Sequence, residues 1–151
     1  MKSSHVLLYL RYGFFCAAAY WIPVFFVFRS EKFSSLWLMY LGNAFFVCTL
    51  VAATSVVNRK LTGEGSINSN FVIGTKISVA GILFSCIVAG IMVICFRNTM
   101  LQQVPANANG FIFMLFLNAA IVNFFISGFG NLTGSVISKN RVRGGKEEEN
   151  I

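Results

Sequence analysis

An all-α, integral-membrane four-helix antiparallel bundle is the fold this sequence predicts, on three observations. Apolar residues make up 56% of the 151-residue chain and charged residues only 11%, where soluble domains carry about 25% charge. The apolar residues are gathered into four charge-poor runs, each near or above the ~20 residues that cross ~30 Å of hydrocarbon as a helix. Polar connectors separate the runs, the first of them a turn tight enough to force its two helices antiparallel. The mean hydropathy of +0.73 agrees with this class.

The first span is expected over residues 6–28, broken only by Arg11. A signal peptide would share its Lys2 and its Ala17 and Ala19, but this run continues through Tyr20, Trp21 and Pro23 to Phe28 and holds a charge, so it reads as a retained helix. Arg29, Ser30, Glu31 and Lys32 make a tight turn, with Trp21, Trp37 and Tyr40 as interfacial anchors near it. The second span covers 33–57. A Gly, Ser and Asn-rich connector, Asn58 to about Thr75, follows it, with Phe71, Val72 and Ile73 re-entering the interface. The third span covers 77–96, and the connector after it, Arg97 to Gly110, is broken by Pro105. The fourth span covers 111–137. Residues 1–138 thus form the membrane unit, and 139–151, a basic cluster followed by an acidic one, read as a disordered charged tail.

The chemistry this chain lacks is as informative as its spans. Its five acids are Glu31, Glu64, Glu147, Glu148 and Glu149, all in connectors or the tail, so no intramembrane carboxylate can couple a proton or cation to transport. His5 stands alone, which removes nitrogen and oxygen metal sites as well as triad and paired-carboxylate catalysis. Cys16, Cys48, Cys86 and Cys95 show no CxxC spacing and read as small buried hydrophobes. Three of them at middle depths leave a soft-metal thiolate site as the minor alternative. The expectation is a protein that is not an enzyme and uses no cofactor. No internal repeat supports an inverted-repeat transporter, and Asn131-Leu132-Thr133 matches a glycosylation acceptor but sits inside a span.

The +7 net charge is explained by topology, not by nucleic acid. Lys2, Arg59, Lys60, Lys76, Lys139, Arg141, Arg143 and Lys146, with Arg11 near them, fall on one side of the membrane; Arg29, Lys32 and Arg97 fall on the other. Positive short loops resist translocation, which puts both termini in the cytoplasm of a multi-pass protein of the inner cell membrane. There the cations meet anionic headgroups. Arg11, about 9 Å deep, is short of the midplane and can snorkel to those headgroups, with a bundle-facing role or an anion contact as alternatives.

Polar and small residues inside the spans mark where helices meet. Asn123, Ser127 and Asn131 follow one another at i, i+4 and i+8, Gly130 and Gly134 form a GxxxG pair beside them, and Asn118 lies in the same span. The third span offers a small-residue ridge, Gly74, Ser78, Gly81, Ser85 and Ala89. In the second span Asn43 lies about 15 Å from the outer surface and Asn123 about 18 Å. That shared depth leads to the expectation that the two amides bond to each other or to a neighbouring helix.

Arg59 and Lys60 ending the second helix, Gly63 and Gly65 in the connector, and Phe71, Gly74 and Lys76 entering the third give the chain an outline that resembles small four-helix bacterial integral membrane proteins of the domain-of-unknown-function class. The resemblance implies the fold and no activity. Fluoride channels and small multidrug exporters share the size, but the Phe and Ser/Thr signature of the first and the intramembrane glutamate of the second are missing. The sequence therefore points to a component acting through helix–helix contacts, as a subunit or assembly factor with a second copy or another membrane protein as partner. A small oligomeric channel or transporter for a neutral or anionic solute, built on Asn118, Asn123, Asn131 and Arg11, is the alternative.

A reporter fused after Ile151 that is active only in the cytoplasm is expected to be active. An exported reporter would refute the charge argument.

Overall fold

The computed structural model describes residues 3–30, 37–62, 67–103 and 108–148, and every one of them is helical. The elements are α1 (Ser3–Ser30), α2 (Trp37–Thr62), α3 (Ile67–Gln103), α4 (Ala108–Leu117) and α5 (Asn123–Glu148), with α4 and α5 joined through a π-helical turn over Asn118–Val122 into one span. Among the described residues four stretches are long and apolar enough to cross a membrane: His5–Arg29, Trp37–Leu61, Ser69–Asn98 and Asn109–Val136. The chain is a multi-pass, all-α membrane protein.

The helices are longer than the apolar runs that announce them. Arg59 and Lys60 are the last turn of α2, where cations suit the helix dipole, and Phe71 to Thr75 are already inside α3. The loose connector expected over 58–75 therefore shrinks to residues between 62 and 67. Likewise α3 continues past Arg97 to Gln103, since a polar sequence can extend a helix once its nucleation cost is met inside the membrane. The same reasoning accounts for α5, which runs to Glu148 where a disordered tail was expected from 139: Lys, Arg and Glu are good helix formers. The turn at Glu31 and Lys32, the connector glycines Gly63 and Gly65 with Glu64, the breaker Pro105 and the last residues Glu149–Ile151 lie outside the described residues.

Register follows from side-chain contacts. Lys76 Nζ lies 5.3 Å above the Tyr9 ring, Phe14 meets Phe84 at 5.8 Å and Phe28 meets Phe96 at 5.4 Å, so α1 and α3 run parallel. Val47 and Val51 of α2 pack on Gly130 and Gly134 of α5, a parallel pair. Ser78 opposite Ser127 and Gly74 opposite Asn131 make α3 and α5 antiparallel. α1 packs on α2 and α3, α5 packs on the same two, and α2 also touches α3, which sets α1 and α5 at opposite corners.

Two kinds of interior result. Around α1 the core is apolar: Cys16, Tyr20, Val24, Val27 and Phe28 are buried with Phe46 and Leu50 of α2 and Ile77 of α3. Phe28 also meets Phe111 of α4 at 5.9 Å, tying three elements together at one end. Pro23 is accommodated inside α1, as spanning helices allow when their neighbours cover the disturbed turn. Between α2, α3 and α5 the interior is polar, and it is described below.

Backbones approach where side chains vanish. A Cβ on Gly42 would stand 2.7 Å from the Tyr20 carbonyl, and one on Gly13 would stand 2.6 Å from Ala80 Cβ and 2.8 Å from the Gly81 nitrogen. Neither clash can be relieved by turning a flexible side chain. Gly42→Ala and Gly13→Ala are each expected to lower stability by roughly 1–3 kcal/mol in reversible unfolding from mild detergent. Gly110→Ala, where the added Cβ meets open space, is expected to stay within about 0.5 kcal/mol.

Candidate functional site, a polar seam between three helices

Among the described residues the buried amides and aliphatic hydroxyls lie on α2, α3 and the α4–α5 span: Asn43, Thr54 and Asn58; Asn70, Ser78 and Ser85; Asn118, Asn123, Ser127, Asn131 and Ser135; α1 adds the unpartnered Tyr20 hydroxyl and Trp21 indole nitrogen. The exposed large hydrophobics among the described residues, such as Leu83, Ile94, Phe125 and Phe129, point the other way. A helix surrounded by hydrocarbon reverses the usual arrangement, because an amide facing lipid has nothing to bond.

The α5 column begins with a change of helix type. In an uninterrupted α-helix Asn118 and Asn123 would be about 140° apart at 100° per residue. The π turn lets the Asn123 backbone N–H donate to Asn118 O, five residues back, which brings the two side chains onto one face. Ala119 O, which would accept that N–H in an α-helix, instead receives the Asn123 Nδ2 at 3.2 Å. From Asn123 onward regular α-geometry carries the column through Ser127, Asn131 and Ser135, and Ser135 Oγ donates to Asn131 O at 2.7 Å.

On α3 the ridge Gly74, Ser78, Gly81, Ser85 and Ala89 is buried throughout but is shared among partners. Gly74 receives the Asn131 side chain on its Cα, and Gly81 faces the Phe46 ring of α2 and the Gly13 carbonyl of α1. Ser78 Oγ donates to Ser127 Oγ at 2.6 Å, and Ser127 Oγ donates onward to Phe124 O at 2.9 Å. At the end of the seam where α3 begins, Ser69 Oγ donates to Asn58 Oδ1 at 2.7 Å, fastening α2 to α3 beside their connector.

The anticipated partnership between Asn43 and Asn123 is not made. Asn43 is 2% exposed, yet neither its Oδ1 nor its Nδ2 has a partner, and Asn123 Oδ1 has none either. The register explains this: with Val47 on Gly130 and Val51 on Gly134, Asn123 falls level with Tyr40, about one turn from Asn43. Thr54, Asn70, Ser85, and the Oδ1 atoms of Asn118 and Asn131 are likewise buried without a hydrogen bond.

Gly130 is buried and Gly134 half-buried, and both serve α2. Arg11 is exposed on α1 beside Leu7, Leu10 and Phe14, outside the seam. Cys16 is buried, Cys86 half-buried and Cys48 exposed, and among the described residues no three His, Cys, Asp or Glu gather as a metal set. Ser135, Thr54 and Asn70 were not singled out from the sequence. Ser135 continues the i+4 series from Asn131 and was legible; Asn70 was hidden by the reading of its segment as a connector.

Ser78→Ala and Ser127→Ala are expected to cost about 0.6–1.7 kcal/mol each, with the double variant costing clearly less than the sum. Asn43→Leu and Asn123→Leu, which share no bond, are expected to add within about 0.5 kcal/mol. Unfolding midpoints of the two double-mutant cycles check both statements.

Compared with known proteins, the chain matches no family model, no curated protein and no solved structure.

Proposed function

We propose that this protein is a non-enzymatic membrane component that works through helix contacts, associating by the outward face of α2 with a second copy or another membrane protein. The observation that carries this reading is a row of small exposed residues, Ala44, Cys48 and Ala52, at i, i+4 and i+8. Small residues at this spacing let two helix backbones approach closely in a bilayer, where packing replaces the hydrophobic effect as the drive for association. The small row is bounded by exposed Tyr40 and Val56 one turn before and after it, with Leu41 and Phe45 beside it, whereas the other spans present bulky rows throughout, such as Ile22, Phe25 and Phe26 on α1, Leu83, Ile87 and Ile91 on α3, and Phe124, Phe125 and Phe129 on α5, among the described residues. The seam residues singled out from the sequence are turned into the bundle and are not on its outward faces.

The setting proposed with it is the inner cell membrane with both termini cytoplasmic. The register supports one cation-rich end, because Lys76 is level with Tyr9 and Arg59 and Lys60 close α2 beside the start of α3. Arg29 follows Phe28 and Arg97 follows Phe96 at the opposite end, where those two rings touch.

A second reading, a conduit for a neutral solute, draws on the unpartnered atoms of Asn43, Asn118, Asn123 and Ser85. Following the α3–α5 register, Ser85 falls level with Ala120, between the two α4–α5 amides. The anionic version loses its cation, since Arg11 stands on the outer surface.

Cys48 is a native probe of the first reading. In isolated membranes of a Cys95→Ala variant, oxidation with copper phenanthroline is expected to give a cross-linked species that disappears in Cys48→Ala and falls strongly in Ala44→Phe or Ala52→Phe. Absence of any Cys48 cross-link would refute the association. Flux of a neutral solute into liposomes that Asn43→Leu abolishes, with the chain monomeric, would favour the conduit.

A further inference from the structure

We infer that the lipid-facing groove between α3 and α5 is a binding site for a neutral long-chain lipid with a hydroxyl head. The groove is separate from the α2 face and does not depend on how that face is used. A cavity of about 340 Å³ opens outward over Ser78, Ser127 and Asn131, with Thr75 beside them. That volume is within the range of small-molecule sites, about 300–1,000 Å³. It continues past Val79, Phe124 and Phe125 into a second, wholly apolar hollow lined by Ile82, Leu83, Ala120 and Ile121. Polar at one end and hydrocarbon at the other, the slot extends from Phe71 to Leu83, about 18 Å along α3 at 1.5 Å per residue. This is the layout of an amphiphile lying along the seam.

The hydrogen-bond inventory selects the head group. Thr75 Oγ1 donates to Phe71 O at 2.9 Å, Ser78 Oγ to Ser127 Oγ and Ser127 Oγ to Phe124 O, so all three hydroxyl protons are committed. What the polar end still offers is acceptor capacity on half-buried Thr75 and on Ser78 behind it, each of which appears only as a donor in these bonds; the Oδ1 of Asn131 is turned onto Gly74 and is closed to the groove. A hydroxyl supplies the donor that these acceptors lack. No charged side chain lines either hollow, so a charged head would be left unpaired.

The rim argues against a helix as occupant. Phe124, Phe125 and Phe129 are 55%, 64% and 72% exposed and stand out from α5. Such side chains hold a second backbone away, whereas an alkyl chain or a narrow ring slides between them. Gly128 lies within the groove, and a Cβ there would meet nothing within 4 Å.

The test uses the full-length protein in phosphatidylcholine nanodiscs and hexadecanol carrying a diazirine on its chain, with the matching hexadecyl methyl ether as the comparator. Labelling by the alcohol is expected to concentrate on peptides covering 71–83 and 120–132, about three- to tenfold above the ether, as one hydrogen bond in hydrocarbon permits. Gly128→Leu fills the groove and is expected to reduce alcohol labelling to the ether's level, while Gly90→Leu, which also meets open space, leaves it unchanged. Thr75→Val is expected to abolish the preference for the alcohol and retain the labelling common to both probes. Equal labelling by alcohol and ether, label spread evenly over all outward faces, or a Gly128→Leu protein that folds and labels normally would each overturn the inference. Oxidative disulfide cross-links between copies of a Phe124→Cys or Phe125→Cys variant that exclude the probe would overturn it in favour of a second chain.

Discussion

An amide cannot face hydrocarbon without leaving its donors and acceptor unpaired, at a cost of several kcal/mol, and the way each of three helices turns in this protein follows from that constraint. Asn43 on α2, Asn70 on α3, and Asn118, Asn123 and Asn131 along α4–α5 are all buried between those helices. Because burial of the amides sets the rotation, the outward surfaces are fixed as a consequence: Phe124, Phe125 and Phe129 on α5, Leu83 and Ile87 on α3, and the small row Ala44, Cys48 and Ala52 on α2. α1 has no buried amide and contributes the apolar half of the interior through Tyr20, Val24 and Phe28.

Burial is not the same as satisfaction. The bonds that the seam does make are local or donated by a hydroxyl: Ser135 to Asn131 O within α5, Ser78 to Ser127 across the seam, and Ser69 to the Asn58 amide oxygen at its end. A hydroxyl on a short stem can reach a neighbouring helix wherever a glycine or serine lets the backbones close in, and the Gly74–Asn131 and Gly130–Val47 contacts show how close that is. The amides of Asn43 and Asn123 sit one turn out of step and do not meet. A polar interior with spare hydrogen-bonding capacity and a small-residue outer row are different assets, which is why association and solute passage are separable readings of one bundle.

The π turn at Asn118–Val122 links local geometry to that interior. It adds one residue to a turn, gives the Ala119 carbonyl a side-chain donor from Asn123, and brings Asn118 into the α5 column. Without it Asn118 would face away from Asn123, and an amide would be directed toward lipid or α1. A defect in helix regularity is thus tolerated because it keeps a polar group off the hydrocarbon surface.

Composition and run length by themselves determined the all-α class, the number of spans and the lipid-facing character of most of the surface, since crossing about 30 Å of hydrocarbon demands long apolar helices whatever their neighbours. The i, i+4 spacing of Asn123, Ser127 and Asn131 likewise determined that these residues share a face, because helical periodicity is a property of the backbone alone. Helix ends were illegible, since polar residues such as Arg59, Asn70 and Arg97 extend a helix already nucleated in the membrane and leave no hydropathy signal. Only the tertiary structure decided which partner each face meets: that Gly130 and Gly134 serve α2, that Gly81 is divided between α1 and α2, that Asn118 joins the column and that Asn43 misses Asn123. Those outcomes depend on the axial offset between helices, which is set by close packing of many small contacts across the interface and is encoded in no single segment.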